Sequence, residues 1–421
     1  MRKLNYFFRL KIKKPIAILF LAHLVSGMAQ GISLLAVPWY FAKMGLSSKY
    51  NFYYGCLTVL ILFWGLYAGT LVDKYSRIKV FVYANLIQFL VLVCVTLVGY
   101  SEKELADGWV FLVLAISFLG FNIHYPNMYA FIQEMSEEDE YPKVSSAVEI
   151  IGQTTSVVSG GLAALLLEGG IWDLGFLGNV EIKRWELWEI FGFDAFTYIV
   201  SILLISSIRY VPLTFRKIET GSILLRLKSG FYFLFHNRRI FAIGLFTYCV
   251  FACVMVQIYT LLPVYVSHYL KESGSVFATS DMLFAVGALL AGVLVSRFLK
   301  PNNLLYYLPI FMALNAAAYL GAYVSDQVMP FFVVCFFFGF SNSATRIARI
   351  SYLLTNVPNY LLGRVNSIFL VCNILERSLL IFVFGLPVFQ FAQVNLAYLV
   401  VSGFVLLNLI GLLLVLNRKS I

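Results

Sequence analysis

Charge is what this sequence has least of. Asp, Glu, Lys and Arg make up 12% of its 421 residues, while 61% are hydrophobic. A soluble domain carries about 25% charged and about 45–50% apolar residues. An apolar excess of this size cannot all face inward in water, so most of the surface must meet lipid. Cysteine is sparse and unpatterned. Cys56, Cys94, Cys249, Cys253, Cys335 and Cys372 all lie in apolar runs with no CxxC pair, which argues against a secreted disulfide framework. Cys249 and Cys253 share a helix face, but with no nearby His or acid they read as small hydrophobic residues rather than metal ligands. No P-loop, HExxH helix, Ser/His/Asp set or carboxylate dyad stands out. These absences argue against an enzyme, an ATP-driven pump, and a resident cofactor or metal. No filter-like loop points to a channel.

What is present is a net charge of +10 and a succession of long apolar runs. A basic excess can signal nucleic acid. Here the bases sit in short connections beside apolar runs, which is the positive-inside pattern, so the expected partner is the bilayer and no nucleic acid. The 39 Phe and 26 Tyr suit acyl-chain and interfacial positions. The basic start (Arg2, Lys3, Arg9, Lys11, Lys13, Lys14) ahead of an apolar run mimics a signal peptide. The run from Pro15 to Phe41 is too long for one, and many similar runs follow.

A helix needs ~20 mostly apolar residues to cross the hydrocarbon. Twelve spans are expected, at 15–42, 50–72, 78–100, 108–133, 143–167, 191–208, 239–267, 276–296, 303–324, 329–355, 365–391 and 394–416. The expected fold is an all-α integral membrane protein with twelve transmembrane helices in two pseudo-symmetric six-helix bundles, 1–208 and 239–421. A cytoplasmic linker, 209–238, joins them and carries an amphipathic stretch, Ile223 to Phe235, suited to the interface. With the N-terminus placed in the cytoplasm, cytoplasmic segments hold 22 of the 31 bases and outer loops six. Both termini therefore read as cytoplasmic, in a multi-pass protein of a bacterial inner membrane. The outer segment 168–190, with Trp172, Trp185 and Trp188, reads as an interfacial lid. The acidic run Glu137 to Glu140 reads as a solvated turn.

The two halves repeat. Ala68 to Lys74 (AGTLVDK) matches Ala291 to Arg297 (AGVLVSR), an offset of about 223. Pro38 matches Pro263, and Lys143-Val-Ser-Ser146 matches Arg364-Val-Asn-Ser367, at nearly the same offset. Parallel repeats of this kind place a shared cavity near the midplane, which is transporter architecture.

At this point a resemblance becomes specific. Gly69-x-x-x-Asp73-Lys74-x-Ser76-Arg77-x-Lys79, between the second and third spans, resembles the signature loop of the major facilitator superfamily, with Ser76 in place of a usual glycine. Ala36-Val-Pro-Trp39, Asp73 to Lys79 and Val357-Pro-x-x-x-x-Gly363-Arg364-Val365 resemble the branch of macrolide-efflux proteins and the enterobactin exporter. The resemblance implies secondary active transport by alternating access, commonly proton-coupled export, by a functional monomer. It implies a gating role for Gly69, Asp73, Lys74, Arg77 and Lys79. Asp73 would face the positive N-terminal end of the eleventh helix in one access state. One departure matters: where the branch often has an acid in the first helix, this sequence has Gln30, which cannot titrate.

Ionisable residues inside a span are costly and point to function. Arg346 and Arg349 lie one turn apart on the tenth span. Glu376 and Arg377 lie near the middle of the eleventh. A pairing of Glu376 with Arg346 or Arg349 leaves positive charge over, which suits an anionic group on a substrate. Glu149, two turns into the fifth span, and His124, mid-way along the fourth, are candidate proton sites; His23 is a weaker one. Asp194 and Asp281 are expected at the interface. The substrate and proton-binding candidates are therefore Arg346, Arg349, Glu376, Glu149, His124 and Gln30. Three functions fit: a proton-linked exporter of a small amphipathic or partly anionic molecule, an importer of an organic anion or metabolite, or a non-transporting sensor or scaffold that keeps the fold.

Overall fold

In hydrocarbon no water reaches the backbone, so each apolar run must close its own hydrogen bonds as a helix. The computed structural model describes residues 13–135, 141–173, 179–209, 223–298, 304–389 and 393–417. The elements run α1 (Lys14–Lys43), α2 (Ser47–Lys74), α3 (Arg77–Glu102), α4 (Asp107–Met135) and α5 (Tyr141–Glu168). A hairpin of β1 (Gly170–Asp173) and β2 (Asn179–Ile182) follows, then α6 (Leu187–Ser206), α7 (Ile223–His236) and α8 (Arg238–Val256). Helix α8 runs on through a wide π turn (Gln257–Leu261), the short α9 (Leu262–Val264) and a second π turn (Tyr265–Tyr269). The chain ends with α10 (Gly274–Phe298), α11 (Leu304–Val324), α12 (Val328–Asn356), α13 (Asn359–Phe384) and α14 (Asn395–Asn417).

Each of the twelve expected spans falls on a helix. Ten helices among the described residues are long and apolar enough to cross a membrane. α2 and α5, 28 residues each, fall outside that set. The eleventh expected span overruns: α13 stops at Phe384, before Gly385 and Pro387. Segment 168–190 is not a bare loop, because its described residues pair as an antiparallel hairpin, Gly170 to Ile182 through Asp173 to Asn179. The acidic run at 137–140 lies outside the described residues.

Local chemistry sets the helix ends. Gly45 has φ 69°, and this left-handed step lets the Leu46 N–H reach back to the Phe41 carbonyl at 2.8 Å. Ser76 is the N-cap of α3: its hydroxyl accepts the Lys79 N–H at 3.4 Å.

Two compact units emerge. One comprises Met1–Ser33, Trp64–Thr155 and Leu187–Glu219, the other Leu34–Phe63, Ser156–Glu186 and Thr220–Ile421. In the first, α3 packs along α6 and α4 around Phe20, Phe81, Met128, Phe131 and Ile205. In the second, α10 and α11 flank α12, and α8 meets α12, α13 and α14. With lipid outside, helices gain little from hydrophobicity alone and rely on close packing at small residues. Gly287 of α10 and Gly339 of α12 supply it: an added Cβ would lie 2.0 Å from the Phe336 carbonyl or 1.8 Å from that of Phe284. The amphipathic stretch forms α7 as expected. Leu234 is fully buried against Val365 and Ile368 of α13, while Tyr232 and Phe235 are exposed.

Candidate functional site

Polar residues spaced three or four apart in an apolar helix share one face. His23, Ser26, Gln30 and Ser33 do so on α1, and Asp194, Tyr198 and Ser201 on α6. In the first unit these faces converge. The Gln30 amide donates to the Gln88 side-chain oxygen at 3.4 Å and to the Ser117 carbonyl at 3.3 Å. The Tyr198 hydroxyl donates to the same Gln88 oxygen at 2.8 Å. Asn85 donates to Ser201 at 3.0 Å, and the Ser33 hydroxyl donates to Asp194 Oδ2 at 2.8 Å. Gly120 makes room, because a Cβ there would lie 2.5 Å from the Gln88 side chain.

At one end of this network the His23 and His124 rings stack, with centroids 4.8 Å apart and planes 24° apart. Tyr125 sets its hydroxyl 3.4 Å from His23 Nε2. Among buried side-chain atoms, His124 Nε2 has no hydrogen-bond partner. Gln30, Gln88, His23, His124 and Tyr198 line a narrow polar pocket with little free space inside it. Gln30 and His124 are thus brought together, and His23 proves as central as His124. Asp194 is not interfacial: it is fully buried, with one oxygen held by Ser33 and Oδ1 without a partner. Its fourfold spacing to Tyr198 was the available signal. Asp281 is 7% exposed and likewise buried.

Of the signature loop, the side chains of Gly69, Asp73 and Lys74 lie outside the described residues, as does that of Glu149. Arg77 is more than a topological charge. Its Nε pairs with Glu134 Oε1 at 2.8 Å, and Asn127 donates to its carbonyl at 2.8 Å, tying the start of α3 to α4. Lys79 is exposed.

The second unit carries the charged cluster. Arg349 is 3% exposed. Its guanidinium lies 3.6 Å over the Tyr248 ring and donates to the Thr247 carbonyl at 3.0 Å. A cation on a ring face in a dry site is strongly held. Asn373 of α13 donates to the Tyr248 carbonyl at 3.1 Å, so α12 and α13 grip adjacent carbonyls of α8. Arg346 lies close enough to Arg349 to act on its charge. Glu376 and Arg349 both lie within electrostatic reach of Cys249. Glu376 Oε2 is buried with no hydrogen-bond partner, so that oxygen makes no bond to either arginine. No group of three or more His, Cys, Asp or Glu among the described residues is placed to hold a metal ion. The arrangement offers a cationic platform, an unanswered carboxyl oxygen and, in the other unit, a neutral hydrogen-bonding network.

The sequence matches the family described as the Major Facilitator Superfamily over residues 19–379. No curated protein gives a significant match. Among solved structures, the chain is similar to a bacterial homologue of the human lysosomal transporter Spinster, inward-facing and unoccupied (TM-score 0.72, 12% identity, 95% of this chain and 96% of that one). It is similar to a bacterial homologue of the iron transporter ferroportin in an inward-facing state (0.70, 15%, 97% and 100%). It is similar also to the nucleoside transporter NupG (0.68, 14%, 96% and 100%). At these identities the likeness is one of fold.

Proposed function

We propose, from the premise that this chain belongs to the Major Facilitator Superfamily, that it exports a small amphipathic or partly anionic molecule by alternating access, with protons as the coupling ion. Membership makes the chain a membrane transporter of a small molecule rather than an enzyme. Glu376 carries the finer reading. A buried carboxylate oxygen with no donor is costly to keep charged. It is relieved by taking a proton or by a donor on a bound solute, and a residue with those two alternatives links solute and proton binding. Arg346 and Arg349, on the neighbouring α12, suit the anionic part of such a solute. Gln30 holds Gln88 and does not titrate, so coupling does not use that position of the first helix. The inner membrane is the compartment this reading requires, with 209–238 as the cytoplasmic link between halves.

The test is flux in vesicles under proton gradients of either sign. Export coupled to protons predicts solute movement against the proton flow. Glu376→Gln should uncouple the two, and Arg346→Ala should lower apparent solute affinity. Unchanged flux in both variants would sink the site. Solute movement along the proton flow would make the chain an importer. No flux at all in either direction would favour a sensor or scaffold.

A further inference from the structure

Helix α7 buries one side and leaves another apolar side bare. Leu234 is fully buried with Val365 and Ile368 of α13. Gly230, one turn earlier, closes the contact: an added Cβ would lie 2.8 Å from Ile368 Cδ1 and 3.1 Å from the Arg364 carbonyl oxygen. The other side carries Phe231, Tyr232 and Phe235, which are 39%, 68% and 64% exposed. Lys228, also exposed, precedes Phe231 and Tyr232 by about one turn and shares their side.

The chain itself says where this bare side lies. Asn237 alone separates α7 from α8. Its backbone N–H and its side-chain amide both donate to the Phe233 carbonyl, at 3.0 and 2.9 Å, which fixes the corner. The apolar run that begins with α8, Arg238–Tyr269, has 32 residues. At 1.5 Å per residue it is roughly 48 Å long, more than the ~30 Å hydrocarbon core. Its ends therefore stand in the headgroup layers. Exposed Arg238 and Arg239 open one of those ends, and α7 joins it there. The stretch from Ile223 to Phe241 holds Arg226, Lys228, Arg238 and Arg239, with no Asp or Glu. A zwitterionic surface offers such a cluster no net charge to meet, whereas an anionic one does. Bases gathered on an amphipathic helix beside a span are the sequence mark of anionic-lipid recognition.

We propose that α7 and the first turn of α8 form a binding site for anionic phospholipid. The headgroup phosphate takes Lys228, Arg238 and Arg239, each guanidinium fork matching two phosphate oxygens. The acyl chains take Phe231, Tyr232 and Phe235. Because α7 packs on α13, the helix that carries Glu376, the lipid braces that helix near Arg364. The site needs only the membrane location of the family, not a direction of transport or a coupling ion.

The experiment uses the full-length protein with p-benzoylphenylalanine in place of Phe235, in vesicles of equal phosphatidylcholine and phosphatidylglycerol. After illumination, mass spectrometry counts the adducts. Phosphatidylglycerol adducts should exceed phosphatidylcholine adducts, and the excess should shrink at high salt. It should fall about five-fold in Arg238→Gln and about five-fold again when Arg239→Gln is added. Lys103→Gln, which removes a base at the far end of α3, should leave the ratio unchanged. Equal adducts of the two lipids overturn the site, as does an excess that survives the loss of both arginines. An equal fall in Lys103→Gln also overturns it. So does a crosslink to a second copy of the chain in place of lipid, which would make this face a dimer contact, and so does the absence of any adduct. Melting temperature checks that each variant folds. Where the double variant does not, the single arginine variants carry the same comparison.

Discussion

Gly287→Ala and Gly339→Ala put the packing of the second unit to a quantitative test. The two glycines answer one another across α10 and α12. A Cβ on Gly287 would lie 2.0 Å from the Phe336 carbonyl oxygen and 3.0 Å from the Phe340 nitrogen. A Cβ on Gly339 would lie 1.8 Å from the Phe284 carbonyl oxygen and 3.1 Å from the Ala288 nitrogen. Ordinary contact begins near 3.4 Å, so either methyl must drive the helices apart by roughly 1.5 Å. The opposing atoms are backbone and cannot rotate away. Overpacking of this kind costs about 1–3 kcal/mol. The two sites share one crossing, so the double variant should cost less than the sum of the singles, because the first methyl has already opened the gap. The assay is thermal or denaturant unfolding in detergent, with the double-mutant cycle completed. The displacement also reaches function, since α12 carries Arg346 and Arg349 two to three turns beyond Gly339. Moving them takes the Arg349 guanidinium off its 3.6 Å seat on Tyr248, so solute flux should fall with stability. Two alanine variants that unfold like the wild type would refute the crossing. Full additivity in the double variant would refute the shared contact.

Other expectations follow from single contacts. Arg77 and Glu134 are each 15% exposed, so removing either charge should cost about 1–3 kcal/mol, with most of it appearing as coupling in a double-mutant cycle. Gln88→Leu strands the Tyr198 hydroxyl, while the Gln30 amide keeps the Ser117 carbonyl, and should destabilise the protein by about 1–3 kcal/mol. Thermal unfolding checks it, and a Tyr198→Phe background should recover part of the loss. Glu168 accepts the Gly274 N–H at the start of α10. Glu168→Gln keeps the acceptor but loses the charge, so it should cost about 0.3–1 kcal/mol, shrinking at high salt.

The all-helical membrane architecture was legible because hydrocarbon permits so few backbone arrangements: an apolar run such as Val80 to Leu97 has no alternative to a helix. Ile223 to Phe235 announced itself by its alternation of apolar and basic residues. The sites were only partly legible. Arg349 and Glu376 were visible as charges out of place, but spacing along α12 and α13 said nothing of Tyr248, which lies on α8 and seats the guanidinium. Asp194 was misplaced because its position near a helix end suggested water. Its burial depends on Ser33 and on the closeness of α1 and α6, a tertiary fact. His23 looked lesser than His124 because a stacked pair cannot be seen one helix at a time. Ser76 looked like a loss of the family's glycine and is instead a working helix cap.

The most direct test of coupled transport is the lumenal pH of proteoliposomes, recorded with an entrapped dye as a solute gradient is imposed. Export coupled through Glu376 predicts proton movement opposite to the solute, lost in Glu376→Gln while the protein stays folded. Solute flux with no accompanying proton movement in the wild type would contradict it.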